Sequence, residues 1–167
     1  MTLWSSAAAL RAAFDGAFAA PPADAVPTCD LLAIRVASEP YALRLTEIAG
    51  LARDLAVVPV PSPVPELRGI AARRGRLYPA YDLGALLGHG LNVDAPWAVL
   101  VEAAHPLAFC FEAMEGSVRL PAAAVASAAH GSIGGTATIG GCQRPIIHLA
   151  SVIETLTRSA ARTREER

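Results

Sequence analysis

The sequence predicts an all-β fold with short flanking helices, and three observations carry that expectation. From Leu31 onward, short apolar segments recur between turn residues at regular spacing, the pattern of a barrel or sandwich. The segment Val57-Val58-Pro59-Val60-Pro61-Ser62-Pro63-Val64-Pro65 lacks so many N–H groups that it reads as an extended edge or a rigid loop. Helical periodicity is confined to the two ends of the chain.

Taken in order, Leu3, Ala7, Leu10, Phe14 and Phe18 recur at helical spacing and predict an amphipathic helix over residues 3–20. Pro21-Pro22 ends it, and residues 21–28 read as a linker. This helix either packs back on its own domain or docks on a partner. Leu31–Ala37 is a first strand, Ser38-Glu39-Pro40 its turn, and Tyr41–Ile48 a second strand. Leu67–Ala72 and Leu77–Tyr81 are further strands around Arg73-Arg74-Gly75-Arg76. Gly69 and Gly75 bracket turns that need small or left-handed residues, and Pro79 marks an edge or a bulge. Asp82–Gly88 is a helical turn, with Asp82 as N-cap before Leu83 and glycine as its stop. In the second half, Trp97–Val101 and Leu107–Ala113 flank a turn, and Val118–Leu120 reads as a short strand. Residues 121–137 read as a small-residue loop, Thr138–Leu149 as a hairpin across Gly140-Gly141, and Ser151–Arg162 as a closing helix. The resulting division is residues 1–28 as helix and linker, 29–157 as a domain of two halves with a boundary near 88–97, and 158–167 as a flexible tail.

Composition narrows the function classes. The 167 residues are 53% apolar and 17% charged, and the mean hydropathy is +0.40. A spanning helix needs about 20 consecutive apolar residues. The longest uncharged stretch, between Arg119 and Arg144, is broken by Pro121 and by Gly131, Gly134, Gly135, Gly140 and Gly141; no transmembrane helix is expected. Ala17-Phe18-Ala19 is like a cleavage site, but no positive side chain precedes the apolar run and Arg11 and Asp15 interrupt it, against a secretory leader. Three cysteines without a Cys-x-x-Cys pair (Cys29, Cys110, Cys142) fit a reduced cytoplasmic protein with all three thiols buried. Net charge is −1 with no basic block, so no nucleic-acid footprint is present.

Catalytic signatures are missing. All 14 basic residues are arginine, which excludes a phosphate-loop lysine, a Schiff base and a kinase β3 lysine. His89, His105, His130 and His148 have no metal-ligand spacing. The segment His130-Gly131-Ser132-Ile133-Gly134 misses the spacing of a nucleophile elbow. No catalytic residue, metal or cofactor is expected.

Residues 41–88 carry the information. The run Tyr41-Ala42-Leu43-Arg44-Leu45, the proline-rich segment, Gly69-Ile70-Ala71-Ala72-Arg73-Arg74-Gly75, and Leu77-Tyr78-Pro79-Ala80-Tyr81-Asp82-Leu83 with Leu87-Gly88 together resemble the CheW family of bacterial chemotaxis adaptors. The family pattern is a tyrosine-led strand, a proline-rich loop, Gly-Val-x-Asn-Leu-Arg-Gly, x-x-x-Pro-x-x-Asp-Leu and a Leu-Gly stop. Phe109–Met114 and Ile146-Ile147-His148-Leu149 resemble later segments of the same family, so the likeness covers about residues 30–157.

The resemblance implies two small five-stranded β-barrel subdomains packed together, with a groove between them and no catalysis. It implies a cytoplasmic adaptor that bridges the regulatory domain of a CheA-type histidine kinase and the helical cytoplasmic tip of a chemoreceptor, without membrane insertion. The kinase contact would use an exposed edge of the first subdomain around Ile48, Gly50 and Val57. The receptor helix would lie in the groove near Leu43, Leu45, Arg74 and Val99. Core burial is the alternative for each of these aliphatics. Arg74 matches a family arginine that helps hold the fold near the partner surface. On its own spacing it either forks onto a carboxylate or carbonyls between the halves or is a solvated turn residue. The chain departs from the pattern at Ala72-Arg73, which replace Asn-Leu, and at Gly50, where a kinase-contacting glutamate is expected. His148 replaces the closing aspartate. A CheW-like module without kinase binding, or a small-molecule-binding barrel, are the rival readings.

Overall fold

The computed structural model describes residues 26–165 except 93 and 129; the helix expected over residues 3–20 lies outside the described residues. Among these the chain forms twelve strands and two α-helices. The first six strands are β1 (Thr28–Val36), β2 (Glu39–Arg44), β3 (Gly50–Arg53), β4 (Val57–Val58), β5 (Leu67–Arg73) and β6 (Arg76–Asp82), followed by helix α1 (Leu83–Leu86). The next six are β7 (Trp97–Glu102), β8 (Pro106–Phe111), β9 (Ala113–Pro121), β10 (Val125–Ala126), β11 (Ile133–Ile139) and β12 (Cys142–Ile147), followed by helix α2 (Leu149–Glu165).

The strands form two six-stranded sheets, ordered β10-β11-β12-β2-β1-β9 and β3-β7-β8-β6-β5-β4. The fold class is therefore the expected one, mostly β in two packed halves, with six strands in each sheet. The two orders become one when six is added to each strand number: the chain is an internal duplication. The duplicated units exchange their first hairpins. β6 runs parallel to β8 through Ala80↔Ala108, and β12 runs parallel to β2 through Ile146↔Ala42. β3 pairs with β7, and β9 with β1. The chain thus changes sheet after Arg44 and again at Glu112, so each sheet takes strands from both sides of the 88–97 boundary between the repeats.

Exchange explains the burial. In β1, Leu31, Leu32, Ala33 and Ile34 are all buried, because both faces of the strand meet apolar layers. Leu32 and Ile34 join Leu43, Val99, Phe109 and Phe111 in the core between the sheets, which α2 closes with Val152 and Leu156. Leu31 faces a smaller cluster inside the first sheet, with Ala42, Ala137 and Ile146. The second sheet wraps its own cluster of Tyr78, Ala80, Leu100 and Cys110.

Several elements differ from expectation for local reasons. The first turn falls at Ala37-Ser38, both at positive φ, with Val36 opposite Glu39. The second strand stops at Arg44, and Leu45–Glu47 form a 3-10 turn. Pro79 stands in an interior strand, opposite Ile70; the parallel pairing with β8 starts at Ala80. The bulge lies on β5, between Leu67 and Gly69. The loop expected over 121–137 contains β10 and the start of β11. Of the three cysteines only Cys110 is buried, and burial pushes its thiol up; Cys142 is exposed. No helix among the described residues is long and apolar enough to cross a membrane.

Candidate interaction surface

The second sheet leaves one side open. Its outermost strands, β3 and β4, follow each other in the chain yet do not pair with each other. Pro59 begins the proline run directly after Val58 and ends β4 after two residues, Val57↔Ala71 and Val58↔Ile70. Arg73 reaches across this side from β5, its Nη1 donating to the Leu51 carbonyl of β3 at 3.1 Å. The opening carries apolar surface at Val58, 66% exposed, and at half-buried Ile48 and Val57. Leu45, 37% exposed, leads into it. Leu77 on β6 is 63% exposed.

Of the residues expected to meet a partner, Leu45, Ile48, Gly50 and Val57 lie on or beside this open side. Leu43 and Val99 do not: both are fully buried in the inter-sheet core, because each sheet covers the face that strand alternation leaves open on the other. Arg74 is an exposed turn residue at φ 50°, paired with Gly75 at φ 75° in the β5–β6 hairpin. It forms no clamp between the halves. The structure therefore does not assemble the groove expected from Leu43, Leu45, Arg74 and Val99.

A buried arginine missed at the sequence level sits in the first sheet. Arg144 donates through Nη1 to the Ile34 carbonyl at 3.2 Å, and its Nη2 pairs with Glu115 at 2.5 Å. Arg35 also pairs with Glu115 at 2.6 Å. The Arg35 bond holds the Glu115 carboxyl below the usual carboxylate range; partial burial opposes it and Arg144 reinforces it. The signal was present: Gly69, Ala71, Gly75, Pro79 and Leu83 recur at constant spacing as Gly135, Ala137, Gly141, Pro145 and Leu149. That spacing puts Arg144 at the place of inward-facing Tyr78.

A polar cavity of about 430 Å³ lies where the sheets meet, lined by Ser38, His89, Asn92 and Glu112 among others. The Ser38 amide donates to Glu112 at 2.7 Å, and His89 bonds the Tyr41 hydroxyl at 2.7 Å. Of the cavity's two carboxylates, Asp94 and Glu112, the second is already engaged by this backbone donor. Among the described residues no three His, Cys, Asp or Glu side chains converge as a metal site would need.

A family model described as a CheW-like domain matches residues 30–157. The chain belongs to the CheW-like family. Among solved structures of this fold is the scaffolding protein TtCheW from Thermoanaerobacter tengcongensis, at TM-score 0.66 and 17% identity, over 73% of this chain and 90% of that one. No curated protein matches the sequence significantly.

In this CheW-like domain the closing His148 has a structural explanation. Asp82 is the N-cap of α1, its Oδ1 accepting from the Ala85 amide at 3.0 Å. His148 takes the corresponding place before α2, and its Nδ1 bonds Ser151 Oγ at 2.8 Å. The carboxylate comes from elsewhere: Glu47 Oε2 accepts from the Leu149 amide at 2.7 Å. Anionic acceptors at a helix N-terminus satisfy free amides and favour the dipole. Glu47→Ala is expected to cost about 1 kcal/mol, lowering Tm by about 2–4 °C. Thermal circular dichroism measures this, and an unchanged Tm would remove the cap from the account.

Proposed function

We propose that this chain is a non-catalytic cytoplasmic adaptor that couples chemoreceptor signalling domains to a CheA-type histidine kinase. Family membership supports the scaffold role, and the observation that carries the reading is the open β3–β4 side of the second sheet. An unpaired edge with accessible Val58, Val57 and Ile48 offers backbone hydrogen bonds and apolar anchors to a partner strand or loop. The kinase regulatory domain would dock there, with Gly50 at the centre of the contact. The receptor tip would dock next to it, at the 3-10 turn that presents Leu45. The output is an affinity between proteins, not turnover.

The test is a binding measurement with the cognate kinase regulatory domain and, separately, a receptor tip. Micromolar binding of both is expected, and Val58→Asp should weaken the kinase arm at least tenfold, because a carboxylate buried in an apolar contact must be desolvated. Gly50 favours one rival: a module that keeps receptor binding without the kinase. Receptor binding with no kinase binding at tens of micromolar would establish that rival, and no binding to either would end the adaptor reading.

A further inference from the structure

At the turn end of the second sheet a cavity of about 350 Å³ opens between the β5–β6 hairpin and the start of β3. Arg73, Arg74 and Arg76 line it, with Glu102 as its single carboxylate. Glu102 is already engaged: Arg76 pairs with it at 2.8 Å, and the Tyr78 hydroxyl donates to it at 3.1 Å. Arg73 spends one donor on the Leu51 carbonyl. Arg74 is exposed and makes no hydrogen bond or ion pair with the described residues. The cavity wall thus holds two more guanidinium charges than carboxylates.

Gly50 also lines this cavity. Nothing in the backbone demands glycine there. Its φ is outside the left-handed region, and an added Cβ would meet only Leu100, at an ordinary 3.6 Å. The position accommodates a side chain and has none, so Arg74 meets no carboxylate from its own chain.

We propose that this cavity receives an aspartate or glutamate side chain of the protein that docks on the β3–β4 edge, held by Arg74 with Arg73 beside it. This rests on the reading of that edge as the kinase-binding surface, and it names the chemistry the partner must present. A guanidinium offers paired N–H donors that fit a carboxylate, and such contacts are strong and salt-sensitive when partly desolvated. Gly50 is then the specificity determinant, since any acidic residue at that position would fill the cavity from within.

The experiment measures affinity for the cognate kinase regulatory domain at low and high salt, using the full chain. Gly50→Glu is expected to weaken binding at least tenfold, because the new carboxylate occupies the arginines in cis. Gly50→Gln, of nearly equal size, should lose at least fivefold less, and Arg74→Ala should lose tenfold together with most of the salt dependence. Thermal melts of each variant confirm that the domain is folded. Equal loss in Gly50→Glu and Gly50→Gln would show a steric effect and overturn the proposal. Undiminished binding by Gly50→Glu or Arg74→Ala, with the wild type binding well, would overturn it while leaving the adaptor reading intact. No binding by the wild type would overturn both.

Discussion

Asp82→Ala should lower Tm by about 6–16 °C, the largest effect expected of any polar substitution in this domain. Asp82 is 1% exposed and holds three groups from different segments. Oδ1 caps α1 at the Ala85 amide; Oδ2 accepts from the Asn92 amide at 3.1 Å and pairs with Arg68 Nη1 at 3.4 Å. Arg68 in turn donates to the Asn92 carbonyl at 3.0 Å. Removing the carboxylate leaves two amides short of an acceptor and takes one partner from the half-buried Arg68 guanidinium. Buried donors left unsatisfied cost about 1–3 kcal/mol each, and a broken buried pair about 3–5 kcal/mol. The groups share one site and do not add, so a total of about 3–4 kcal/mol is expected, at about 2–4 °C per kcal/mol. Asp82→Asn keeps an acceptor for the cap and should fall between wild type and alanine. A drop of less than about 2 °C for alanine would show that the loop at Asn92 is held by other means.

Gly69→Ala should be the most damaging small substitution. Gly69 has φ 146°, and an added Cβ would lie 2.1 Å from the Val58 carbonyl oxygen and 2.9 Å from Pro59 Cα. Both neighbours are backbone, so no side chain can rotate out of the way. Either β5 is strained or the two-residue β4 is pushed off the sheet. Overpacking against rigid neighbours, with an unfavourable φ, costs about 3 kcal/mol. The Val58 and Ile70 amides should also lose hydrogen-exchange protection. Gly50→Ala is the stability control, because its Cβ meets only Leu100 at 3.6 Å. Unchanged melting and unchanged exchange in Gly69→Ala would contradict the close approach of β4. The duplicate makes the same demand: at Gly135 the added Cβ would lie 2.5 Å from the Ala126 carbonyl oxygen.

What could be read from the sequence was what short-range chemistry decides. Asp82 was legible as a cap because a side chain accepting an amide three residues on is a local event. The β5–β6 hairpin was legible from Arg74-Gly75 between two apolar runs. Leu43 and Val99 were not legible as core, because alternation tells which face a residue takes and not what covers that face. In this fold both faces of the exchanged hairpins are covered. β3 and β4 were invisible for another reason: four residues and two residues are too few to show a period, and only their pairing with β7 and β5 makes them strands. β11 was hidden by Gly134, Gly135 and neighbouring small residues, which read as turn chemistry until β10 and β12 supply the ladder. Glu47 acts on a partner about a hundred residues away, beyond the reach of spacing arguments, whereas the inward place of Arg144 could be read only by aligning the two repeats.

The exchanged hairpins have a consequence for dilution. Two separate copies of such a unit, each lending its leading hairpin to the other, would form an interlocked pair whose survival depended on concentration. Tethering both copies in one polypeptide makes that embrace unimolecular, with an effective local concentration that does not fall as the cell dilutes the protein. Neither copy can then be excised without stripping the other's sheet of two interior strands.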